Sequence, residues 1–437
     1  MRVLRGRLRL PSLGRNFVAM VMWQAGTYLV PLLTFPYLTR TLGVEAYGAL
    51  GIGMAVSTYA LIWTDWGFNL SASRAIAQMR QDREAVTALF WNTLMAKAIL
   101  ALLSLMALLS ALAWLAALPG LRAAAAVTLA CWLCVPGSVL CVSWLFQGLE
   151  RFELFATVTL VGKLLTLPMT FWLVRGPDDA WIAASVQAAG VAVTGGLSLW
   201  MVRRQRLVGP IAVTWTGMLA QWRGGWHVFV STASVSLFAA SNIVILSATV
   251  GAVGAALYAA ADRLKTVANL MPAQINTVCY ARVNTLFAAH PDQAAALTRR
   301  ALAATVGVTL VGVVAVWTLA WWAVPWVLGR EFSGVTPVLA WLTLGTLFGN
   351  AAYLLGLQVL LPFQRAGLRT GVMFAAGVLN LALAGALSLR WGATGAAAAI
   401  VLAEAAILVA FAWTIHHTPA MRAHLWRRPP VAGVAHA

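Results

Sequence analysis

Charged residues are scarce in this chain, and acidic residues are the scarcest. Asp and Glu occupy 12 of 437 positions, and all charged residues make up 10% of the sequence, against about 25% in soluble domains. Hydrophobic residues make up 61%, and the mean hydropathy is +0.83. This composition excludes an ordinary soluble protein and indicates a polytopic α-helical membrane protein. The net charge of +18 does not require nucleic acid as a partner, because basic residues concentrated in cytoplasmic loops account for it.

Cysteine and catalytic motifs are also sparse. Cys131 and Cys134 have the spacing of redox or zinc motifs, but both lie inside an apolar run. Small residues buried in a membrane helix explain them, so we expect neither a disulfide framework nor a metal site. The sequence contains no nucleotide-binding loop, GxSxG or metal motif, which argues against an enzyme and an ATP-driven pump and predicts no cofactor.

Apolar runs long enough to cross a membrane recur along the chain. At about 1.5 Å per residue, each of twelve runs can span the roughly 30 Å hydrocarbon core. Of the basic residues, 21 fall in tails and loops that this count places in the cytoplasm, and five fall in the alternate loops. This bias predicts an even number of spans with both termini in the cytoplasm. The predicted spans are 16–38, 47–66, 87–110, 122–146, 153–173, 179–201, 226–248, 254–275, 301–324, 336–361, 370–389 and 392–415.

A polar break divides these spans into two sets of six. It contains four Arg and Pro210, with several Trp around them, which is typical of a segment at the membrane interface. A short outer turn with a Gly, followed by Tyr47 or Tyr258 near the start of the next span, recurs in both halves. We therefore predict an all-α integral membrane protein whose two six-helix bundles are related by a pseudo-two-fold axis along the membrane normal. The predicted parts are an amino-terminal bundle at 1–201, a cytoplasmic interfacial linker at 202–225, a carboxy-terminal bundle at 226–415 and a cytoplasmic tail at 416–437.

Six charged residues fall well inside the predicted spans, away from the span ends. A cation at mid-membrane costs about 2.5–3.5 kcal/mol on insertion scales, so such residues usually face a polar interior. Asp262 and Lys265 are three positions apart and can pair on one helix face, whereas Arg263 points elsewhere and is the better candidate for an unpaired, ligand-facing cation. The four cations, which exceed the carboxylates by two and are the candidate substrate-binding residues, are Lys97, Lys163, Arg263 and Lys265. Alternatively, all of these charges pair internally and serve folding or topology.

Four polar residues are candidates for coupling or gating. Glu404, in the last span, is either a proton-coupling carboxylate or part of a helix–helix contact. Asp262 belongs to the same group through its pairing with Lys265. Asp65 and Asn69 lie near the cytoplasmic end of the second span, where Asp65 is expected to cap the turn or to pair with Arg74 rather than to touch substrate.

The residues between Asn16 and Arg74 also carry an ordered set of matches to one family. This stretch resembles the amino terminus of bacterial polysaccharide-biosynthesis exporters, the O-antigen (Wzx-type) flippases of the MATE-like superfamily. The later segments 257–264, 271–274, 355–362 and 395–404 resemble the same family, as does Asn380. The amino-terminal matches are Asn16, Gln24, Tyr28 to Thr34, Pro36 to Leu38, Arg40, Leu42-Gly43, Tyr47-Gly48 and Asp65 to Arg74.

The resemblance implies a flippase of the bacterial cytoplasmic (inner) membrane. Its expected substrate is an undecaprenyl-pyrophosphate-linked oligosaccharide, moved to the periplasmic leaflet as the two halves rock around a cationic cavity. A H⁺ or Na⁺ gradient or the membrane potential is the expected energy source, and a polysaccharide polymerase and a chain-length regulator are candidate partners. The alternatives are a flippase for lipid II or another lipid-linked sugar, a drug or cation antiporter of the same superfamily, and a membrane polysaccharide polymerase or ligase. A cationic cavity disfavours a cation antiporter, and short outer loops disfavour a polymerase.

Overall fold

The computed structural model describes residues 10–115 and 122–426, and all regular structure in these ranges is helical. The first four Arg of the amino tail, and Arg427 and Arg428 of the carboxy tail, lie outside the described residues. The chain divides into two compact units, an amino-terminal unit up to Ala233 and a carboxy-terminal unit from Ser234. The limits predicted for the two bundles stay a prediction.

The helices of the amino-terminal unit are long and apolar, with short pieces at its turns. They are α1 Leu10–Asp65, α2 Phe68–Met79, α3 Arg83–Leu115, α4 Arg122–Trp132, α5 Cys134–Leu140, α6 Ser143–Gly148, α7 Phe152–Leu173, α8 Ala180–Arg204 and the beginning of α9, Trp215–Thr249. A 3₁₀ turn at Pro177–Asp179 precedes α8.

The carboxy-terminal unit continues from α9 in the same manner. Its helices are α10 Ala252–Ala268, α11 Leu270–Ala289, α12 Pro291–Leu328, α13 Val335–Leu355, α14 Ala366–His417 and α15 Pro419–Trp426. A 3₁₀ turn at Arg330–Phe332 precedes α13, and a π-helical turn at Gly356–Leu360 follows it. The eighth predicted span, 254–275, is not one continuous helix, because α10 ends at Ala268 and α11 begins at Leu270.

Two of the longest helices are each bent at a glycine. Gly43 in α1 has φ 73° and ψ 178°, and Gly392 in α14 has φ 58° and ψ −137°. Glycine adopts a positive φ without the penalty that a Cβ brings, so these residues mark the turns predicted after the first and the eleventh spans. Within the described ranges, eight helices are long and apolar enough to cross a membrane. The full count of twelve and the cytoplasmic termini stay predictions.

Close helix packing in the amino-terminal unit depends on small residues. A Cβ on Gly162 of α7 would lie 2.0 Å from the Thr194 hydroxyl oxygen and 2.5 Å from the Gly190 carbonyl oxygen, both in α8. Small residues at such contacts let helix backbones approach within a membrane. The contact fixes the position of Lys163, the next residue along α7.

The segment between α8 and α9 lies along α3. The non-helical part of the predicted linker is 205–214, because α8 extends to Arg204 and α9 begins at Trp215. The Arg83 guanidinium donates to the Arg206 carbonyl at 3.0 Å, and the Gly209 amide donates to the Thr87 hydroxyl at 2.9 Å. The Trp91 indole donates to the Gly209 carbonyl at 3.3 Å. This segment is therefore attached to the amino-terminal unit by several hydrogen bonds.

Candidate functional site

The charged residues of the amino-terminal unit form a small network at the end of α1. The Lys97 ammonium, on α3, lies 3.3 Å from Asp65 Oδ1, and Lys97 is only 3% exposed. The Asn69 amide donates to Asp65 Oδ1 at 2.8 Å and accepts from the Ser143 hydroxyl at 3.1 Å. In this network a carboxylate pairs with the buried cation, and a hydrogen-bonded amide holds that carboxylate in place.

A tight turn holds Asp65 in this network. Trp66 and Gly67 both have positive φ, 46° and 76°, and a Cβ on Gly67 would lie 2.6 Å from Val228 Cβ. Of the two alternatives predicted for Asp65, the ion pair with Arg74 is wrong, because Lys97 pairs with Asp65 and Arg74 is exposed on α2. With Asp65 included, three carboxylates oppose the four intramembrane cations, so the predicted surplus of two falls to one.

Lys163 is the amino-terminal unit's other predicted intramembrane cation. It is half-buried beside the Gly162 contact, and its ammonium makes no ion pair or hydrogen bond within the described ranges. Because no carboxylate among the described residues pairs with it, this ammonium is available to a ligand or to water. Lys163 therefore differs from Lys97, which is paired with Asp65. The sequence gives no sign of this difference.

In the carboxy-terminal unit, Asp262 and Lys265 form the ion pair that their spacing predicts. The Lys265 ammonium lies 2.5 Å from Asp262 Oδ1, so this prediction is confirmed. Arg263 is half-buried on the same helix and is not without a partner. The expectation of an unpaired Arg263 therefore fails, while its role toward a ligand stays a prediction.

Glu404 lies against a glycine that makes room for its carboxylate. A Cβ on Gly349 of α13 would lie 2.9 Å from Glu404 Cδ and 2.9 Å from Oε2. The positive charge of Lys265 acts on the Glu404 carboxylate, so Asp262, Lys265 and Glu404 form one electrostatic group within this unit. The proposed place of this group in a cavity shared with Lys97 and Lys163 stays a prediction.

An uncharged network joins three helices of the carboxy-terminal unit, and the sequence predicts no contact between its members although it marks Asn380 and Tyr258 individually. The Asn380 amide donates to Asn242 Oδ1 at 3.0 Å, and the Asn242 amide donates to the Tyr258 hydroxyl at 2.9 Å. All three side chains are buried. Such bonds hold membrane helices together. The sequence signal that could have indicated this network is the occurrence of Asn and Tyr within apolar runs.

The carboxy-terminal helix α15 packs against its own unit. His424 is 6% exposed, and its ring lies 5.5 Å from the Phe287 ring and 5.7 Å from the Phe363 ring. The Arg299 guanidinium donates to the Leu425 carbonyl at 3.2 Å. Burial lowers the pKa of His424 from its ordinary value of 6.5, and the positive charge of Arg299 lowers it further while Asp292 opposes the shift.

The docking of α15 is therefore expected to weaken in acid. Because the docked His424 has the lower pKa, docking retains its full stability above about pH 6.5 and loses it as pH falls below that value. The protection factors of amides 419–426, which correct for the intrinsic pH dependence of hydrogen exchange, are expected to be lower at pH 5.5 than at pH 7.5. His424→Leu, which cannot take up a proton, is expected to show the same protection factors at both pH values. An equal loss of protection at pH 5.5 in His424→Leu would contradict the role of His424.

Comparisons with known sequences agree with these features. The profile of a family described as polysaccharide biosynthesis protein matches residues 13–282. A candidate O-antigen transporter of Escherichia coli (strain K12) is 27% identical over 396 residues, which cover 90% of this chain and 94% of that protein. A candidate O-antigen transporter of Shigella dysenteriae is 26% identical over 273 residues, which cover 62% of this chain and 67% of that protein.

Solved structures show the same fold at low identity. An inward-facing MATE family transporter of the MOP superfamily matches with a TM-score of 0.70 and 15% identity over 93% of this chain and 99% of its own. The lipid II flippase MurJ, in an inward closed conformation, matches with a TM-score of 0.68 and 11% identity over 93% of this chain and 90% of its own. The resemblance drawn from the sequence is confirmed, and the chain belongs to the polysaccharide biosynthesis protein family as a multi-pass, all-α membrane transporter with the fold of the MATE-like superfamily.

Proposed function

We propose that this protein is a flippase for an undecaprenyl-pyrophosphate-linked oligosaccharide, an O-antigen or related surface polysaccharide unit. It moves this lipid from the cytoplasmic to the periplasmic leaflet of the bacterial cytoplasmic membrane. The observation that carries the proposal is Lys163, a half-buried cation in an apolar helix whose ammonium has no partner within the described ranges. Family membership and the names of the two relatives support the substrate class.

The chemistry of the head group fits the available charges. A pyrophosphate needs positive charge where water is scarce, and a guanidinium binds phosphate oxygens bidentately while an ammonium supplies a point charge. We assign the direct contacts to Lys163 and Arg263. Lys97 and Lys265 are paired with Asp65 and Asp262. Each of these ammonium groups therefore contributes when the head group displaces its carboxylate or shares the ammonium with that carboxylate.

The membrane potential is the proposed energy source, because the head group is negatively charged and moves outward. Each negative charge carried outward through 100 mV gains about 2.3 kcal/mol, and a pyrophosphate carries about two. Glu404 is the candidate proton acceptor if a H⁺ gradient contributes, because it is a carboxylate inside an apolar helix and lies against Gly349. A polymerase and a chain-length regulator that use the exported lipid are the proposed partners.

Lipid II is the second candidate substrate because it carries the same pyrophosphate. The likeness to MurJ supports this candidate only at the level of the fold. A drug or cation antiporter is disfavoured by the cations at Lys163 and Arg263.

The sidedness of the lipid-linked glycan tests the proposed function. In cells that lack this protein, the glycan is expected to stay inside and to escape a membrane-impermeant glycan probe. Wild-type protein is expected to restore labelling, and Arg263→Ala is expected not to. Collapse of the membrane potential is expected to slow the restored labelling.

Two results would redirect the assignment. Unchanged labelling without the protein, in a strain with no second flippase, would favour the antiporter or polymerase alternatives. Rescue of a lipid II flippase deficiency, without movement of the surface-polysaccharide lipid, would assign lipid II instead.

A further inference from the structure

A long stretch of the chain around the linker contains no acidic residue. No Asp or Glu occurs between Asp179 and Asp262. The same stretch carries four Arg, whose side chains are all exposed, at 203, 204, 206 and 223. We call residues 200–227 the strap. No carboxylate within the strap offsets these Arg, so the charged side chains of the strap itself are all positive.

The inner side of the strap is fixed in place. Arg83, Thr87 and Trp91 of α3 bond its backbone, and the Thr214 amide donates to Asn92 Oδ1 at 2.8 Å. At its far end, the Trp66 indole donates to the Trp222 carbonyl at 2.9 Å. These bonds orient the strap, so its outer face is a defined surface.

The outer face combines the Arg with exposed apolar side chains. Ile211 is 73% exposed, Trp215 63% and Trp226 49%. The Arg204 guanidinium lies 4.9 Å from the centre of the Trp200 ring, a cation–π contact. Trp beside Arg is the composition of surfaces that lie in the head-group layer of a bilayer, where the ring is half in apolar surroundings and the cation meets phosphate.

We propose that the strap is a docking surface for anionic phospholipid head groups. The four Arg supply the charge for the phosphate. Ile211, Trp215 and Trp226 anchor the surface at the boundary between the head groups and the acyl chains. Charge complementarity and the fixed orientation of the strap support this assignment, whichever substrate the transporter carries. Each basic residue near an anionic surface strengthens binding about fivefold.

The binding of phosphatidylglycerol to the purified full-length protein tests this proposal. Native mass spectrometry during titration is expected to show at least tenfold tighter binding of phosphatidylglycerol than of phosphatidylcholine. In the triple variant Arg204→Gln/Arg206→Gln/Arg223→Gln, this preference is expected to fall at least tenfold. Changing the same three positions to Lys keeps the charge and is expected to keep the preference within about threefold. This result would show that the loss in the Gln variant comes from the missing charge and not from misfolding.

A matched control removes equal charge elsewhere. Arg300→Gln/Arg365→Gln/Arg422→Gln changes three exposed Arg of the carboxy-terminal unit and is expected to leave the preference unchanged. An equal loss in this control would overturn the proposal, because it would show a general effect of net charge. A strap variant that keeps phosphatidylglycerol binding but loses binding of an undecaprenyl pyrophosphate would also overturn it and assign the surface to the transported lipid.

Discussion

Replacing Asp65 by Ala is expected to destabilise the protein by about 3 kcal/mol or more. The change leaves the Lys97 ammonium, only 3% exposed and 3.3 Å from Asp65 Oδ1 in the wild type, without its partner. Removing one member of a buried ion pair typically costs about 3–5 kcal/mol because an uncompensated charge remains. The part exposure of Asp65 places the effect at the lower end. Thermal unfolding in detergent is expected to show a clearly lower midpoint.

The double variant Asp65→Ala/Lys97→Met provides the control. Removing both charges is expected to restore most of the midpoint, because apolar residues often replace a buried pair without loss. A double variant no more stable than Asp65→Ala would contradict this account. A stable double variant that still fails to move the glycan would show that Asp65 or Lys97 also acts in transport.

The second large effect is expected at Lys163. Lys163→Met is expected to reduce glycan translocation by ten- to a hundredfold, the equivalent of about 1.5–3 kcal/mol for lost hydrogen bonds to a charged group. Stability is expected to stay near that of the wild type, because the ammonium makes no ion pair or hydrogen bond in the part of the chain that the structure describes. Initial rates of probe labelling and the unfolding midpoint measure the two effects separately.

The conservative variant Lys163→Arg keeps the charge and is expected to retain at least a tenth of the rate. Gly162→Ala, one position away, crowds Thr194 and Gly190 and is expected to lower stability as well as transport. Full transport by Lys163→Met would contradict the assignment of Lys163 as a substrate contact.

The sequence predicts the contacts that are local along the chain. Spans follow from apolar periodicity, and the pair of Asp262 and Lys265 follows from the three-residue spacing of one helix face. The bond between Lys97 and Asp65 joins residues 32 positions apart, so it depends on how α1 packs against α3. No rule of spacing reaches such a pair, so the sequence does not reveal that Asp65 offsets the charge of Lys97.

In the carboxy-terminal unit, too, the sequence does not predict contacts between residues that are distant along the chain. The sequence marks Glu404 as a charge in an apolar helix, but Gly349 looks like any other glycine of an apolar run. Only the packing of α13 on α14 reveals that a Cβ at Gly349 would meet the carboxylate. Positions of this kind have no chemical signature of their own, since their role is to leave space.

The docking of α15 has a practical consequence for shortened forms of the protein. The last predicted span ends at 415, so a truncation there looks harmless from hydropathy. Met421, however, is 1% exposed within an apolar cluster that also contains Phe411 and Ile415. A chain that stops at 415 leaves Phe287 and Phe363 uncovered, which makes the truncated protein prone to aggregation and favours placing any purification tag beyond the helix.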